Sequence, residues 1–175
     1  MNNTLDVRDV AGKSRVILDE AMEYCAQKMR LGDAQSVIDC LRAGDGRVCG
    51  YCNYSVAKQV AELLGTLDEN IKAAYIYDYD ATPQDLCPGD GGRGLPIHLL
   101  VWADRKTAAL KVMAETWDRA LAQGYAEAIG GRSSAHVLDL QVVDNADVQK
   151  RMGYGALLSS LHYPPVQVWS RYPEA

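Results

Sequence analysis

The sequence predicts an α/β (α+β) protein, a mixed sheet of three to four strands flanked by helices, with a helical extension at the N-terminal side. Three observations lead there. Apolar residues recur at helical spacing between Lys13 and Arg30 and again after Asp104. Three short runs, Ala73 to Tyr77, Ile97 to Trp102 and His136 to Val143, are rich in apolar and aromatic residues and read most simply as strands. The two kinds of segment are mixed along 175 residues, an order that buries apolar surface efficiently at this length.

The elements follow in order. Residues 1–12 are polar and read as a loose arm. A first helix places Leu18, Ala21, Met22, Cys25 and Met29 on one face and stops at Gly32. Asp33 caps a short second helix that ends at Gly44. The stretch from Gly44 to Asn53 reads as a loop, and a third helix carries Ala57, Val60, Ala61 and Leu64, with Gly65 as its stop. Two strands follow, separated by a loop rich in Gly, Pro and Asp. Asp104 is positioned to cap a long helix that buries Leu110, Met113, Trp117, Ala120 and Leu121. Gly124 lies just past that stripe, which can extend to Ile129. After the third strand, Asn145 opens another helix, Gly153 to Leu161 forms a last one, and Val166 to Trp169 adds a short edge strand after Pro164-Pro165. Residues 13–175 are expected to form one domain, with the helical extension over 13–54.

Composition narrows the function. Apolar residues make up 48% and charged residues 23%, the ordinary balance of a globular protein. No apolar run reaches membrane-spanning length. The net charge of −5 argues against a broad electrostatic grip on nucleic acid. The N-terminal residues show no basic start followed by an apolar stretch, so a cytoplasmic location is expected. Cys25, Cys40, Cys49, Cys52 and Cys87 are odd in number, which argues against a disulfide framework and for thiols or metal ligands.

Four patterns bear on chemistry. Cys49-Gly50-Tyr51-Cys52 has the spacing of a zinc knuckle or a redox pair. Cys40 and Cys87 supply two more ligands, so Cys40, Cys49, Cys52 and Cys87 are the candidate zinc set, with His98 in reserve. Asp78-Tyr79-Asp80-Ala81-Thr82 resembles the signature of haloacid-dehalogenase-type phosphatases. That resemblance implies nucleophilic attack by Asp78 and acid catalysis by Asp80, with magnesium. The plain alternative is two solvated carboxylates at a strand end. In the redox reading, Cys49 and Cys52 serve a thiol oxidoreductase of thioredoxin-like kind, with Pro96 as its proline before a strand. The loop Pro88 to Gly94 has the glycines of a phosphate cradle, but it leads into a strand rather than a helix.

From Ser55 to Trp169 the element order and hydrophobic texture resemble the nucleotidyltransferase fold of the minimal and kanamycin-type enzymes, which makes 55–175 a nucleotidyltransferase-like core. In that family a Gly-Ser turn follows the first strand, an Asp-x-Asp pair opens the second, and a later strand supplies a third carboxylate. Together the acids hold two magnesium ions. Here Tyr77 to Asp80 stand at the turn, Pro96 and His98 occupy the paired carboxylate positions, and Asp139 stands at the third. The resemblance therefore implies a non-catalytic relative with a binding or assembly role. Asp78, Asp80, Asp139 and His98 remain the candidate catalytic residues. The apolar stripe from Ile17 to Met29 and the segment from Leu157 to Leu161 are candidate surfaces for a homodimer.

Overall fold

The computed structural model describes residues 7–77, 97–130 and 136–172. The elements are α1 (Val7–Met29), α2 (Ala34–Arg42), α3 (Gly46–Leu67), β1 (Ile71–Ile76), β2 (Ile97–Ala103), α4 (Ala108–Ile129), β3 (Leu138–Val143), α5 (Asn145–Lys150), a 3-10 helix (Gly153–Ser159) and β4 (Val166–Ser170). The fold is α+β, with one four-stranded mixed sheet and flanking helices. No helix among the described residues is long and apolar enough to cross a membrane.

Contacts divide the chain into two compact units. The first holds described residues 7–56, 113–130 and 136–137, and the second holds 57–77, 97–112 and 138–172. α3 and α4 each contribute residues to both units.

In the first unit, α1 begins inside the stretch expected to be an arm. Val10 is buried, and an Asp9–Lys13 ion pair one turn apart supports the opening turns. The apolar stripe of α1 then enters a core of Met22, Cys25, Ala26, Val37, Leu41, Val48, Cys49 and Cys52. The α1 stripe predicted as a dimer surface is thus buried within the chain. The Asp33 cap is found as expected, accepting from the Ser36 amide at 2.8 Å.

The expected loop from Gly44 to Asn53 is instead the start of α3. Asp45 accepts from the amides of Arg47 (2.9 Å) and Val48 (3.2 Å), which caps the new helix. Val48, Cys49, Cys52 and Val56 are buried at helical spacing. Three glycines in seven residues concealed this signal.

The second unit is built on the sheet, in the order β3-β2-β1-β4. β1 runs antiparallel to β2 and to β4, and β2 runs parallel to β3. The parallel pair needs a long crossover, and α4 lies between its strands in sequence. β2 is central, so Ile97, Leu99, Leu100, Val101 and Ala103 are all buried, while β4 is an edge strand with Val166 exposed.

Gly65 does not stop α3, which runs on to Leu67. A Cβ at Gly65 would overlap the indole of Trp169 on β4, so the glycine serves a close approach. Arg171, its guanidinium 5.4 Å from the Trp169 ring, donates to the carbonyls of Gly65 (2.6 Å), Asp68 (3.1 Å) and Ile71 (2.8 Å). Carbonyls at the end of α3 are thereby satisfied from the far end of the chain.

Two caps differ from expectation by a few residues. Thr107 accepts from the Leu110 amide and opens α4, while Asp104 pairs with Lys72 at 2.7 Å. Asp144, not Asn145, caps α5, in a reciprocal box with Asp147. Asn145 accepts from Trp102 Nε1 (3.0 Å) and donates to Asp104 (3.1 Å). The last helix is a 3-10 helix, in which a Cβ at Gly155 would clash with the backbone of Asp147.

Candidate functional site

The second unit gathers one polar cluster around Asp139. Parallel pairing of β2 with β3 sets His98 directly opposite Asp139. Strand alternation puts Gln141 on the same face as Asp139. Tyr77 follows β1, held by its amide donating to the His98 carbonyl at 3.2 Å.

All three neighbours donate to the one carboxylate. Oδ2 accepts from the Tyr77 hydroxyl at 3.2 Å and from His98 Nδ1 at 3.0 Å, and Oδ1 accepts from Gln141 Nε2 at 2.6 Å. A carboxylate acceptor assigns the proton of His98 to Nδ1. The Tyr77 ring lies 5.1 Å from the His98 ring and 5.5 Å from that of Tyr154. The His98 side chain is 18% exposed and that of Asp139 is 32% exposed, so the cluster is within reach of solvent at its rim.

Burial, followed by the charge of Asp139, pushes the Tyr77 hydroxyl well above the ordinary tyrosine range. In the first unit, burial pushes Tyr125 up to about 12. Both groups hold their proton more tightly folded than unfolded. Their contribution is therefore complete below about pH 10 and is lost as pH climbs past that value. The urea midpoint is expected to fall steadily from about pH 10 to 12. Tyr77→Phe and Tyr125→Phe should each flatten that fall, and an unchanged slope in both variants would contradict the assignment.

Cys25, Cys40, Cys49 and Cys52 meet in the core of the first unit. Cys49 is disulfide-bonded, whereas Cys25, Cys40 and Cys52 are free. The expectation of thiols or metal ligands is corrected at Cys49, which is disulfide-bonded: an odd count excludes complete pairing, not a single bond. Cys25 donates to the Val48 carbonyl at 3.5 Å, and Cys52 stands one turn further along α3 in the same core. Cys40 packs against the same core. Among the described residues no group of three or more His, Cys, Asp or Glu is placed to hold a metal ion.

Cys87, Asp78, Asp80, Pro96 and the glycine-rich loop from Pro88 to Gly94 lie outside the described residues. Of the predicted catalytic candidates, His98 and Asp139 are therefore brought together. The sequence reading missed Tyr77 and Gln141 as their partners, and Tyr154 beside the Tyr77 ring. Gln141 was detectable, since it stands two residues from Asp139 on one strand. Tyr154 joins through tertiary contact alone and left no local signal.

A second pair was also missed. Asp118, buried on α4, accepts from His136 Nδ1 at 2.6 Å and from the Val137 amide at 2.7 Å. It ties the residues before β3 to α4. A groove of about 490 Å³ lies between α1 and α4, and none of the predicted site residues lines it. Its Arg15 is paired with Glu127 at 2.9 Å, and hydrogen bonds from Gln123 and Arg15 hold the Glu127 carboxyl below its ordinary range.

No protein-family model, curated protein or solved structure matches this chain.

Proposed function

We propose that this chain is a nucleotidyltransferase-like protein that does not transfer nucleotides and serves a binding or assembly role. One observation carries the reading: Asp139, at the position of the third acid, is committed to three donors of its own sheet. An aspartate that holds magnesium directs its lone pairs at the ion. Here both oxygens already accept hydrogen bonds. His98, opposite Asp139, replaces the repulsion between two acids with an attraction. The described residues therefore do not fit a two-magnesium centre.

Calorimetric titration of the protein with magnesium and a non-hydrolysable nucleoside triphosphate tests this. The expected result is no magnesium-dependent nucleotide binding, with no pyrophosphate released from a hydrolysable triphosphate. Magnesium-dependent binding that disappears in Asp139→Asn would overturn the proposal. So would magnesium-dependent hydrolysis of a phosphomonoester that is lost in Asp78→Asn. Sedimentation of the same sample reports the assembly state, for which a dimer is expected.

A further inference from the structure

We infer that Cys25 and Cys52 form a dithiol that closes to a disulfide by exchange with a small-molecule disulfide. The pair joins α1 to α3 and is distinct from the bond at Cys49. Three features support it. Cys25 Sγ sits 3.5 Å from the Val48 carbonyl, one helical turn before Cys52 on α3, so tertiary packing brings the two thiols into one neighbourhood although they stand far apart in sequence. Both are free thiols. Both belong to one dense core with Val48, Cys49 and Leu41, which limits how far either sulfur can turn away.

The chemistry balances without another reagent. Cys25 is fully buried and Cys52 is 5% exposed, so Cys52 is the point of entry. Its thiolate attacks one sulfur of the small disulfide, forming a mixed disulfide and expelling one small thiolate. The Cys25 thiolate then attacks the Cys52 sulfur, and the second small thiolate leaves. The protein loses two electrons and two protons, and the reagent gains both to become two thiols. Burial raises the affinity of both protein sulfurs for their protons, so the thiolate is scarce and the first step is slow. Its rate should rise about tenfold per pH unit across the neutral to mildly alkaline range.

Cys40 is the natural competitor, since it packs against the same core. The test holds the full chain in graded ratios of reduced and oxidised glutathione. Aliquots are quenched with acid, unfolded, alkylated and mapped by mass spectrometry. Chymotrypsin cuts after Tyr24 and Tyr51, which separates Cys52 from Cys49 in the wild-type chain. The expected result is a Cys25-to-Cys52 crosslink with Cys40 still alkylated. It should close at glutathione ratios at least tenfold more reducing in the folded chain than in urea. Cys49→Ser should keep the crosslink, and Cys25→Ser should stop at glutathionylated Cys52. The inference is overturned if Cys52 in the wild type ends as the glutathione adduct, if either sulfur joins Cys40 or Cys49 instead, or if both stay alkylated at every ratio.

Discussion

Gly65→Ala is expected to destabilise the chain by about 3 kcal/mol, although the same change in most helices stabilises by about 1 kcal/mol. The glycine lies two residues before the end of α3, and the Trp169 indole occupies the space a Cβ would need. The new methyl must push that ring away. Arg171 lies against the ring and donates to three backbone carbonyls, so the displacement also loosens charge-assisted hydrogen bonds. Gly50→Ala on the same helix is the control. Nothing lies within 4 Å of its added Cβ, and a gain of about 1 kcal/mol is expected there. Urea unfolding of both variants measures the contrast. In Gly65→Ala combined with Trp169→Ala, the two costs should fall short of their sum, because the clash is absent once the indole is gone. Simple additivity would show that the indole is not what the methyl meets.

Asp139→Ala is expected to cost about 3 kcal/mol, the other large effect. It removes the acceptor of Tyr77, His98 and Gln141 together and leaves partly buried donors without a partner. Asp139→Asn should cost only about 1 kcal/mol. An amide oxygen in the place of Oδ2 still accepts from Tyr77 and His98, and the Gln141 amide can turn to offer its oxygen to the new NH₂ group. Urea unfolding reads both values. If Asn were as damaging as Ala, the negative charge rather than the hydrogen-bond pattern would be what the cluster requires. If neither variant lost stability, Asp139 would have to be held for a ligand instead of for the sheet.

The two positions differ in how far they can be read from the chain itself. The strands at Ile71, Ile97 and Leu138 and the long α4 were legible because each has an apolar period and a length of its own. Asp139 within a strand was visible as an acid in apolar surroundings, and His98 likewise. Their meeting was not, because it depends on the parallel register of two strands separated by a helix. The start of α3 was misread because glycines outweighed the capping Asp45. Gly65 was misread for the opposite reason: it looks like a helix stop, and its purpose lies in Trp169, more than a hundred residues away. The same distance hid Arg171, which has the composition of an ordinary surface residue and the contacts of a helix cap.

That last contact has a consequence for how the molecule is made. The carbonyl of Gly65 waits for a guanidinium 106 residues later. At about 5–20 residues per second, a ribosome needs on the order of ten seconds to cover the interval. Throughout it, the nascent β1 lacks its β4 neighbour and shows one bare row of amides and carbonyls. Such a row is a template for any strand nearby, so crowding of ribosomes on one message is the circumstance in which this chain is most exposed to mispairing.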